Sequence, residues 1–254
     1  MRLKDKVALV TGAGAGIGRG VAELFAEEGA CVVLAEINSK TGAEAEAAIR
    51  AKAGQAVFVE ADISREEDAR KITAEALRAY GRVDILVNNA ATFVLKGFDA
   101  TVEDWQRSLG VNVIGTAMVT RYASEAMTRQ GTGGAIVNLA SISSWVAQAH
   151  FFAYSATKAA ILQMTRCMAM DLAPAKIRVN AVCPGTILTE ASERHMEQSG
   201  ITFEQFEAEE GAKTLLGRVG HVREVAEAVA FLASDGASYI TGTHLMVDGG
   251  YTAK

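Results

Sequence analysis

A tyrosine and a lysine four residues apart are the strongest catalytic candidates in the sequence. Tyr154 and Lys158 would share one face of a helix, one turn apart. A tyrosine hydroxyl titrates near ~10 in water and is a poor base at neutral pH, but a neighbouring lysine cation favours the phenolate. The pair therefore predicts a general acid or base that exchanges a proton with a substrate hydroxyl group. Because this spacing also occurs often by chance, the interpretation depends on the residues around it.

Polar residues near the ends of predicted strands supply that context. Ser141 follows the apolar run Ala135–Leu139 and precedes Tyr154 by thirteen residues. In an open α/β sheet, a hydroxyl at the carboxyl end of a strand faces the crevice where ligands bind. Asn89 follows an earlier strand in the same way. Asn112 falls inside a predicted helix, where asparagine is unfavourable, so we expect its amide to have a specific role.

A glycine-rich segment follows the first predicted strand and precedes a predicted helix. Gly12, Gly16 and Gly18 would let the backbone turn sharply and approach a phosphate, which the helix N-terminus attracts. The spacing departs from GxGxxG, because Ile17 stands where the last glycine would fall. The position between strand and helix nevertheless predicts a pyrophosphate-binding turn. The alternative is an ordinary glycine turn.

Glu36 ends the second predicted strand. A carboxylate there can accept hydrogen bonds from the hydroxyls of an adenosine ribose and would repel a 2′-phosphate. The next residues, Ile37 and Asn38, are not basic. The sequence therefore predicts NAD rather than NADP as the cofactor. The alternative is that Glu36 is a solvated charge at a strand end.

Short apolar runs alternate with helical patterns along the whole chain. This alternation predicts an α/β fold with a doubly wound parallel sheet that is covered by helices on both faces. No linker divides the chain, so we expect a single domain. The predicted strands are Val7–Thr11, Cys31–Ala35, Ala56–Glu60, Ile85–Asn88, Ala135–Leu139, Ile177–Val182 and His244–Val247, and the clearest predicted helices are Gly18–Glu28, Ala43–Lys52, Glu66–Tyr80 and Val222–Ser234.

One segment interrupts the alternation. Between Pro184 and Leu216 the sequence turns polar and carries no predicted strand. We expect a short helical lid over the ligand cleft in residues 184–216. A solvated surface helix is the alternative.

Composition argues against several other functions. The chain has 254 residues and a formal net charge of −5, which gives no general attraction for nucleic acid. No apolar run is long enough for a membrane span, and the N-terminus reads as a strand and a turn rather than a signal peptide. The three cysteines and four histidines show no metal-binding spacing, so no metal and no disulfide framework are expected. Cytoplasmic location is the default.

Taken together, these residues resemble the short-chain dehydrogenase/reductase family. The resemblance covers nearly the whole chain, and it departs from the family pattern at Ala91 and Ala140, where glycine and serine are common. It implies a single-domain Rossmann fold over residues 1–254 and hydride transfer at a CH–OH group. It rests on Thr11-Gly12-x3-Gly16-x-Gly18, Asp62-Ile63, Asn88-Asn89-Ala90, Asn112, Ser141, Tyr154-x3-Lys158 and Pro184-Gly185.

The resemblance also implies roles for the catalytic residues. Tyr154 would exchange the substrate proton, and Ser141 would hydrogen-bond the substrate oxygen. Lys158 would hold the nicotinamide ribose and lower the pKa of Tyr154. Asn112 would bind a water molecule that links Lys158 to solvent. Cofactor contacts are implied for Gly12, Gly16, Ile17, Gly18, Glu36, Asp62, Ile63, Asn89, Tyr154, Lys158, Pro184, Gly185, Ile187 and Thr189.

The substrate is less defined than the cofactor. Aromatic and hydrogen-bonding residues would face it, which favours a small alcohol, polyol, sugar or hydroxy-carbonyl compound over a long lipid. The main substrate candidates are Ser141, Ser143, Gln148, His150 and Tyr154, with Thr92, Val94, Trp145, Phe151, Thr186, Glu190 and His195 also expected nearby. Ordinary surface polarity is the alternative for His150 and His195.

The expected function is an NAD-dependent oxidoreductase that interconverts a secondary alcohol and a ketone, or a sugar or polyol hydroxyl and a carbonyl. The alternatives are an NADPH-dependent reductase similar to 3-oxoacyl-[acyl-carrier-protein] reductase, a dehydratase or epimerase with the same cofactor, and a non-catalytic dinucleotide sensor. The helix after Tyr154 is apolar on nearly every face, which favours a subunit interface. The resemblance implies a homotetramer.

Overall fold

A computed structural model describes the backbone of residues 1–254 and all side chains except those of His195 and Gln198. Seven parallel strands form the main sheet in the order β3-β2-β1-β4-β5-β6-β9. A second, two-stranded sheet pairs β7 with β8. The strands are β1 (Val7–Thr11), β2 (Cys31–Glu36), β3 (Gln55–Glu60), β4 (Ile85–Asn88), β5 (Gly134–Leu139), β6 (Ile177–Pro184), β7 (Ile187–Leu188), β8 (Gly220–His221) and β9 (His244–Val247).

Helices cover both faces of the main sheet, which confirms the doubly wound architecture. Along β1, Ala8 and Val10 pack with α1, α2 and α9, whereas Val7 and Leu9 pack with α3, α5 and the end of α6. Strands buried on both faces need apolar residues at every position, hence their continuous apolar runs. The helices are α1 (Gly16–Glu27), α2 (Ser39–Ala51), α3 (Glu66–Tyr80), α4 (Val102–Leu109), α5 (Thr116–Gln130), α6 (Phe152–Leu172), α7 (Glu190–Ser199), α8 (Phe203–Gly211) and α9 (Val222–Ala233).

All seven strands predicted from the sequence are present, with ends displaced by at most two residues. The strand order reverses between β1 and β4, which are neighbours in the sheet. In open α/β sheets, ligands bind in the crevice outside the carboxyl ends of the strands at this reversal. The predicted chemical residues therefore lie at the edge of the sheet where a ligand is expected.

The segment 184–216 differs in part from its prediction. It contains two helices, α7 and α8, so its helical character is confirmed. The prediction that it carries no strand is wrong, because Ile187–Leu188 pairs in parallel with Gly220–His221. A two-residue strand leaves no periodic signal, and its partner lies outside the segment. Met196 and Phe206 of the segment form a small separate core with Val219, which follows the segment.

Among the described residues, no helix combines the length and the apolar character needed to cross a bilayer.

Candidate active site

The turn after β1 is shaped by glycines. Gly12 and Gly16 have positive φ angles of 63° and 54°, a region that side chains disfavour. A Cβ on Gly12 would lie 2.8 Å from Ala90 Cα, and a Cβ on Gly18 would overlap the carbonyl oxygen of Gly12. Ile17, between them, is half-buried in the first turn of α1. Only glycine fits at Gly12 and Gly18, because the backbone passes close to itself and to β4.

Hydrogen bonds tie this turn to the end of β4. Thr11 Oγ1 accepts from the N–H groups of Asn89 at 3.0 Å and Ala90 at 3.1 Å. Asn89 Nδ2 donates to the carbonyl oxygens of Thr11 and Gly12, both at 3.0 Å. The two amide hydrogens of Asn89 are thus used by the turn, and only its Oδ1 is left to accept from a ribose hydroxyl.

An acidic side chain stands at the N-terminus of α1. The N-cap residue, Ala15, offers no side-chain cap, and the N–H of Gly16 donates to Glu190 Oε2 at 2.9 Å. This carboxylate oxygen stands in for an anionic oxygen such as that of a pyrophosphate. An anion therefore fits the turn, as expected for free N–H groups at the positive end of a helix dipole.

Glu36 reaches the same turn from the end of β2. Its carboxylate accepts from the N–H of Gly14 at 3.1 Å and from the N–H of Asn38 at 3.0 Å. A Cβ on Gly14 would lie 2.8 Å from Glu36 Cγ, so the side chain packs directly on the backbone. A negative charge held here suits a ribose diol and disfavours a 2′-phosphate.

The expected adenine residues lie after β3. Asp62 Oδ1 accepts from the N–H of Ser64 at 2.9 Å and from its hydroxyl at 2.7 Å, while Ile63 is buried. A cavity of about 560 Å³ opens beside them, lined by Asp62, Ile37 and Arg65 among others. One oxygen of Asp62 thus maintains the local turn, which leaves Oδ2 for a ligand.

Tyr154 and Lys158 lie on the buried face of α6, one turn apart. Lys158 Nζ donates to the carbonyl oxygen of Leu139 at 2.6 Å and lies 5.6 Å from the centre of the Tyr154 ring. Burial lowers the pKa of Lys158 to about 8. Burial also raises the pKa of Tyr154, and a hydrogen bond with Ser141 partly offsets that effect.

The expected lowering of the Tyr154 pKa by Lys158 is therefore absent in this arrangement. The ammonium lies near the phenol ring but bonds a backbone carbonyl. Desolvation, which favours the neutral phenol, is the larger effect. A phenolate here needs a further positive charge close by.

The loop after β5 connects Ser141 to two predicted substrate residues. Ser143 N–H donates to Ser141 Oγ at 3.1 Å, and the Ser141 hydroxyl donates to Ser143 Oγ at 3.1 Å. The Ser143 hydroxyl in turn donates to Gln148 Oε1. His150 has a positive φ of 67°, and its carbonyl oxygen accepts from Gly97 N–H at 2.9 Å. The loop is held by a chain of side-chain bonds.

A cavity of about 780 Å³ lies beside this loop. Ser143, Gln148 and His150 line it, together with Phe98 and Trp145. Tyr154 and Lys158 do not. Three of the five main substrate candidates therefore line one cavity, and a fourth, Ser141, is hydrogen-bonded to Ser143 of that lining.

Asn112 lies in a π-helical turn, Gly110–Gly115, between α4 and α5. Its Oδ1 accepts from Thr92 N–H at 2.8 Å, and its Nδ2 donates to the Thr92 carbonyl and to Thr157 Oγ1, both at 3.0 Å. The amide therefore fixes the segment after β4 against α6, and neither amide hydrogen is available to a water molecule. Single π turns are frequent at functional sites, and no sequence pattern predicted this one.

The segment that follows β6, which was predicted to be a lid, approaches the glycine turn. A Cβ on Gly185, next to Pro184, would lie 2.9 Å from Asp248 Cα, so glycine is needed for this close approach. Thr189 caps α7, and its Cγ2 would lie 3.6 Å from a Cβ on Gly16. Ile187 is buried in β7. Thr189 thus lies beside the turn, whereas the side chain of His195 is outside the described residues.

Sequence reasoning missed one aromatic neighbour of the catalytic tyrosine. The rings of Phe93 and Tyr154 stack at 4.9 Å with an interplanar angle of 19°. Phe151, which was expected near the substrate, meets Tyr154 edge-on at 5.9 Å. The position of Phe93 directly after Thr92, near the carboxyl end of β4, is the signal that could have identified it.

Among the residues whose side chains are described, no group of three or more histidine, cysteine, aspartate or glutamate residues could hold a metal ion.

Comparisons with known proteins agree with this geometry. A family model described as Enoyl-(Acyl carrier protein) reductase matches residues 12–252. A cyclopentanol dehydrogenase of Comamonas testosteroni is 41% identical over 254 residues, which cover 100% of this chain and 99% of that protein. An NAD-dependent glycerol dehydrogenase of Listeria innocua is 40% identical over 99% of this chain and 96% of its own length.

A solved structure is also similar to this chain over nearly its whole length. A 7α-hydroxysteroid dehydrogenase complexed with NADH and 7-oxo glycochenodeoxycholic acid superposes with a TM-score of 0.91 at 36% identity. The match covers 98% of this chain and 95% of that structure. The fold, the order of the motifs and these full-length relatives lead to one assignment. The chain belongs to the short-chain dehydrogenase/reductase family of oxidoreductases.

Proposed function

We propose that this oxidoreductase uses NAD to interconvert a secondary alcohol and its ketone, or a sugar or polyol hydroxyl and its carbonyl. One observation carries the proposal: a buried phenol, an ammonium and a hydroxyl, from Tyr154, Lys158 and Ser141, lie at the same edge of the sheet as a glycine turn whose N–H bonds a carboxylate. Acid–base catalysis at a CH–OH carbon needs this combination of groups.

Each residue has a separate task in the oxidation. Tyr154 takes the proton from the substrate hydroxyl as its phenolate. Ser141 hydrogen-bonds the substrate oxygen and stabilises the charge that develops on it. Lys158 would hold the nicotinamide ribose, and the positive ring of bound NAD would favour the phenolate. Bound NAD would supply the hydride acceptor and a positive ring. Gly12, Gly16, Gly18 and Glu36 would hold the adenosine and pyrophosphate portion.

Two findings support NAD over NADP. The Glu36 carboxylate is held against the glycine turn by two backbone N–H groups, where it would repel a 2′-phosphate. The relatives include a glycerol dehydrogenase named as NAD-dependent and a hydroxysteroid dehydrogenase solved with NADH. An NADPH-dependent 3-oxoacyl-[acyl-carrier-protein] reductase is the alternative, and Glu36 argues against it.

The proposal also covers the residues that contact the substrate and the oligomeric state. Ser143, Gln148 and His150 would contact the substrate, and residues 184–216 would cover it as a lid. An exposed stripe on α6, formed by Phe152, Ala156, Ala159, Gln163, Cys167 and Met170, supports subunit contact and a homotetramer. A cytoplasmic location stays a prediction.

The test is NADH formation with purified wild-type protein and the Tyr154→Phe variant, measured first with NAD and then with NADP against secondary alcohols, sugars and polyols. We expect turnover with NAD, and a fall of about 10²- to 10⁴-fold in kcat for the variant because the acid/base is lost. NADH binding should be retained in the variant, weakened at most by the lost contact of the Tyr154 hydroxyl. A preference for NADP, or full activity of Tyr154→Phe, would overturn the proposal. Tight NADH binding without turnover of any compound would favour a sensing role.

A further inference from the structure

The ring of Phe93 covers a face of the catalytic phenol without taking part in its proton chemistry. Its centre lies 4.9 Å from that of Tyr154, and the two planes are 19° apart. Phe151 meets the same phenol edge-on at 5.9 Å. Two phenylalanine rings thus form the walls next to the acid/base, although the proposed mechanism uses neither.

Phe93 is held in place through its neighbour. Both backbone groups of Thr92, the N–H and the carbonyl, are paired with the side-chain amide of Asn112. The same amide donates to the hydroxyl of Thr157, which donates to the backbone carbonyl of Tyr154. The hydrogen bonds therefore run from the backbone beside Phe93 to the backbone of Tyr154, so the stacking arrangement is built into the fold.

The ring of Phe93 is largely exposed, although Tyr154 covers one of its faces. Phe93 is 61% exposed, whereas Tyr154 is 6% exposed. Burial of exposed aromatic surface by an apolar ligand is favourable. Because the other face of the stacked ring points away from Tyr154, the edge of the Phe93 ring is the part that offers apolar contact to a molecule bound at the phenol.

Polar groups near the phenol are mostly committed to one another. The hydroxyl of Ser141 donates to Ser143, and the hydroxyl of Ser143 donates to Gln148. Both amide hydrogens of Asn112 are also used. A carbinol oxygen bound at Tyr154 would take over the hydrogen bond of Ser141, but the rings of Phe93 and Phe151 offer no partner to further hydroxyl groups, and each unpaired hydroxyl costs free energy when it leaves water.

We propose that Phe93 is a specificity-determining residue, and that it selects a secondary alcohol on an apolar ring over a polyol. This inference rests on the proposed alcohol oxidation and narrows its substrate class. The carbinol oxygen faces Tyr154 and Ser141, while the hydrocarbon part of the ring packs on the exposed edge of Phe93.

Cyclohexanol and myo-inositol test the inference, because both have a six-membered carbon ring and they differ in their number of hydroxyl groups. With the wild-type protein and NAD, kcat/KM for cyclohexanol should exceed that for myo-inositol by about 100-fold. Phe93→Ala should lower kcat/KM for cyclohexanol about tenfold, chiefly by raising KM, without lowering the value for myo-inositol.

Tyr239→Ala is the control, because Tyr239 is a fully exposed aromatic residue that lines neither of the two cavities. We expect a change of less than about twofold in kcat/KM for this variant. Phe93→Leu should retain much of the cyclohexanol activity, because it preserves apolar surface. Equal thermal unfolding midpoints for the variants and the wild type would exclude misfolding as the cause of a loss.

The outcomes separate this inference from the proposed function. Equal use of both alcohols, with no effect of Phe93→Ala, would overturn the role of Phe93 and leave alcohol oxidation intact. Absence of NAD-dependent oxidation across the broader alcohol panel would overturn the proposed function.

A binding measurement tests the role of Phe93 without turnover. Calorimetric titration of cyclohexanone into the protein saturated with NADH should give about tenfold weaker binding in Phe93→Ala. Unchanged affinity in that variant, or no binding by the wild type, would contradict the inference.

Discussion

The turn after β1 and the loop after β5 lie at the same edge of the sheet but are held by different means. The turn is fixed by close backbone approach, with Gly12 and Gly18 packed against the chain itself. The loop is fixed by side-chain bonds that join Ser141, Ser143 and Gln148. A backbone-built turn tolerates no side chain at its contact points, whereas a loop held by side chains can change its lining with single substitutions. This difference allows a constant cofactor turn to serve a variable substrate site.

The largest effect is expected where the turn depends on the absence of a side chain. Gly18→Ala would place a methyl group against the Gly12 carbonyl oxygen, which is backbone and cannot move aside cheaply. We expect a loss of about 1–3 kcal/mol in the free energy of unfolding and a large loss of NADH affinity. Chemical denaturation and fluorescence titration measure these two quantities.

Gly110→Ala is the control for Gly18→Ala, because a Cβ on Gly110 would meet no neighbouring atom within 4 Å. If both substitutions had the same small effect on NADH affinity, the turn would not be a backbone-built site.

A smaller effect is expected at the ribose end of the same region. Glu36→Gln keeps the size and an acceptor oxygen but removes the charge that would repel a 2′-phosphate. We expect kcat/KM with NADP, relative to NAD, to rise about tenfold, which corresponds to about 1.4 kcal/mol. Glu44→Gln, an exposed substitution on α2, should leave the ratio unchanged. An unchanged ratio in Glu36→Gln would mean that another residue sets the cofactor preference.

The smallest effect concerns the contact between the turn after β1 and the first residue of α7. The Glu190 carboxylate accepts from Gly16 N–H, where a pyrophosphate oxygen would compete with it. In Glu190→Gln the competing oxygen is neutral, so we expect the Kd of NADH and of ADP to fall about threefold, with no change for adenosine. Glu193→Gln on the same helix serves as the control. Weaker ADP binding in Glu190→Gln would show that the carboxylate assists the cofactor instead.

The difference between structure fixed by the backbone and structure fixed by side chains also explains which features could be predicted from the sequence. The strands were predictable because burial on both faces demands continuous apolar runs, and the glycine turn was predictable because only glycine allows its geometry. Contacts between residues distant in the chain could not be predicted, such as the hydrogen bond of Gly16 to Glu190 and the stacking of Phe93 on Tyr154. The pair Ile187–Leu188 with Gly220–His221 was missed because a two-residue strand has no period.

The direction in which the pKa of Tyr154 shifts could not be predicted from the sequence either. The Tyr154–Lys158 spacing suggested a lowered value, but the local pattern contains no information on how deeply the phenol is buried. The structure shows that burial is the dominant effect and raises the pKa.

The most direct test of the acid/base role is the ionisation of Tyr154 itself. Ultraviolet difference titration of the wild type against Tyr154→Phe isolates this phenol from the other tyrosines. In the protein alone, burial should hold its pKa above the ordinary value of ~10. Saturation with NAD should lower that pKa, because a positive ring next to the phenol favours the phenolate. A pKa that is the same with and without NAD would contradict the assignment of Tyr154 as the group that takes the substrate proton.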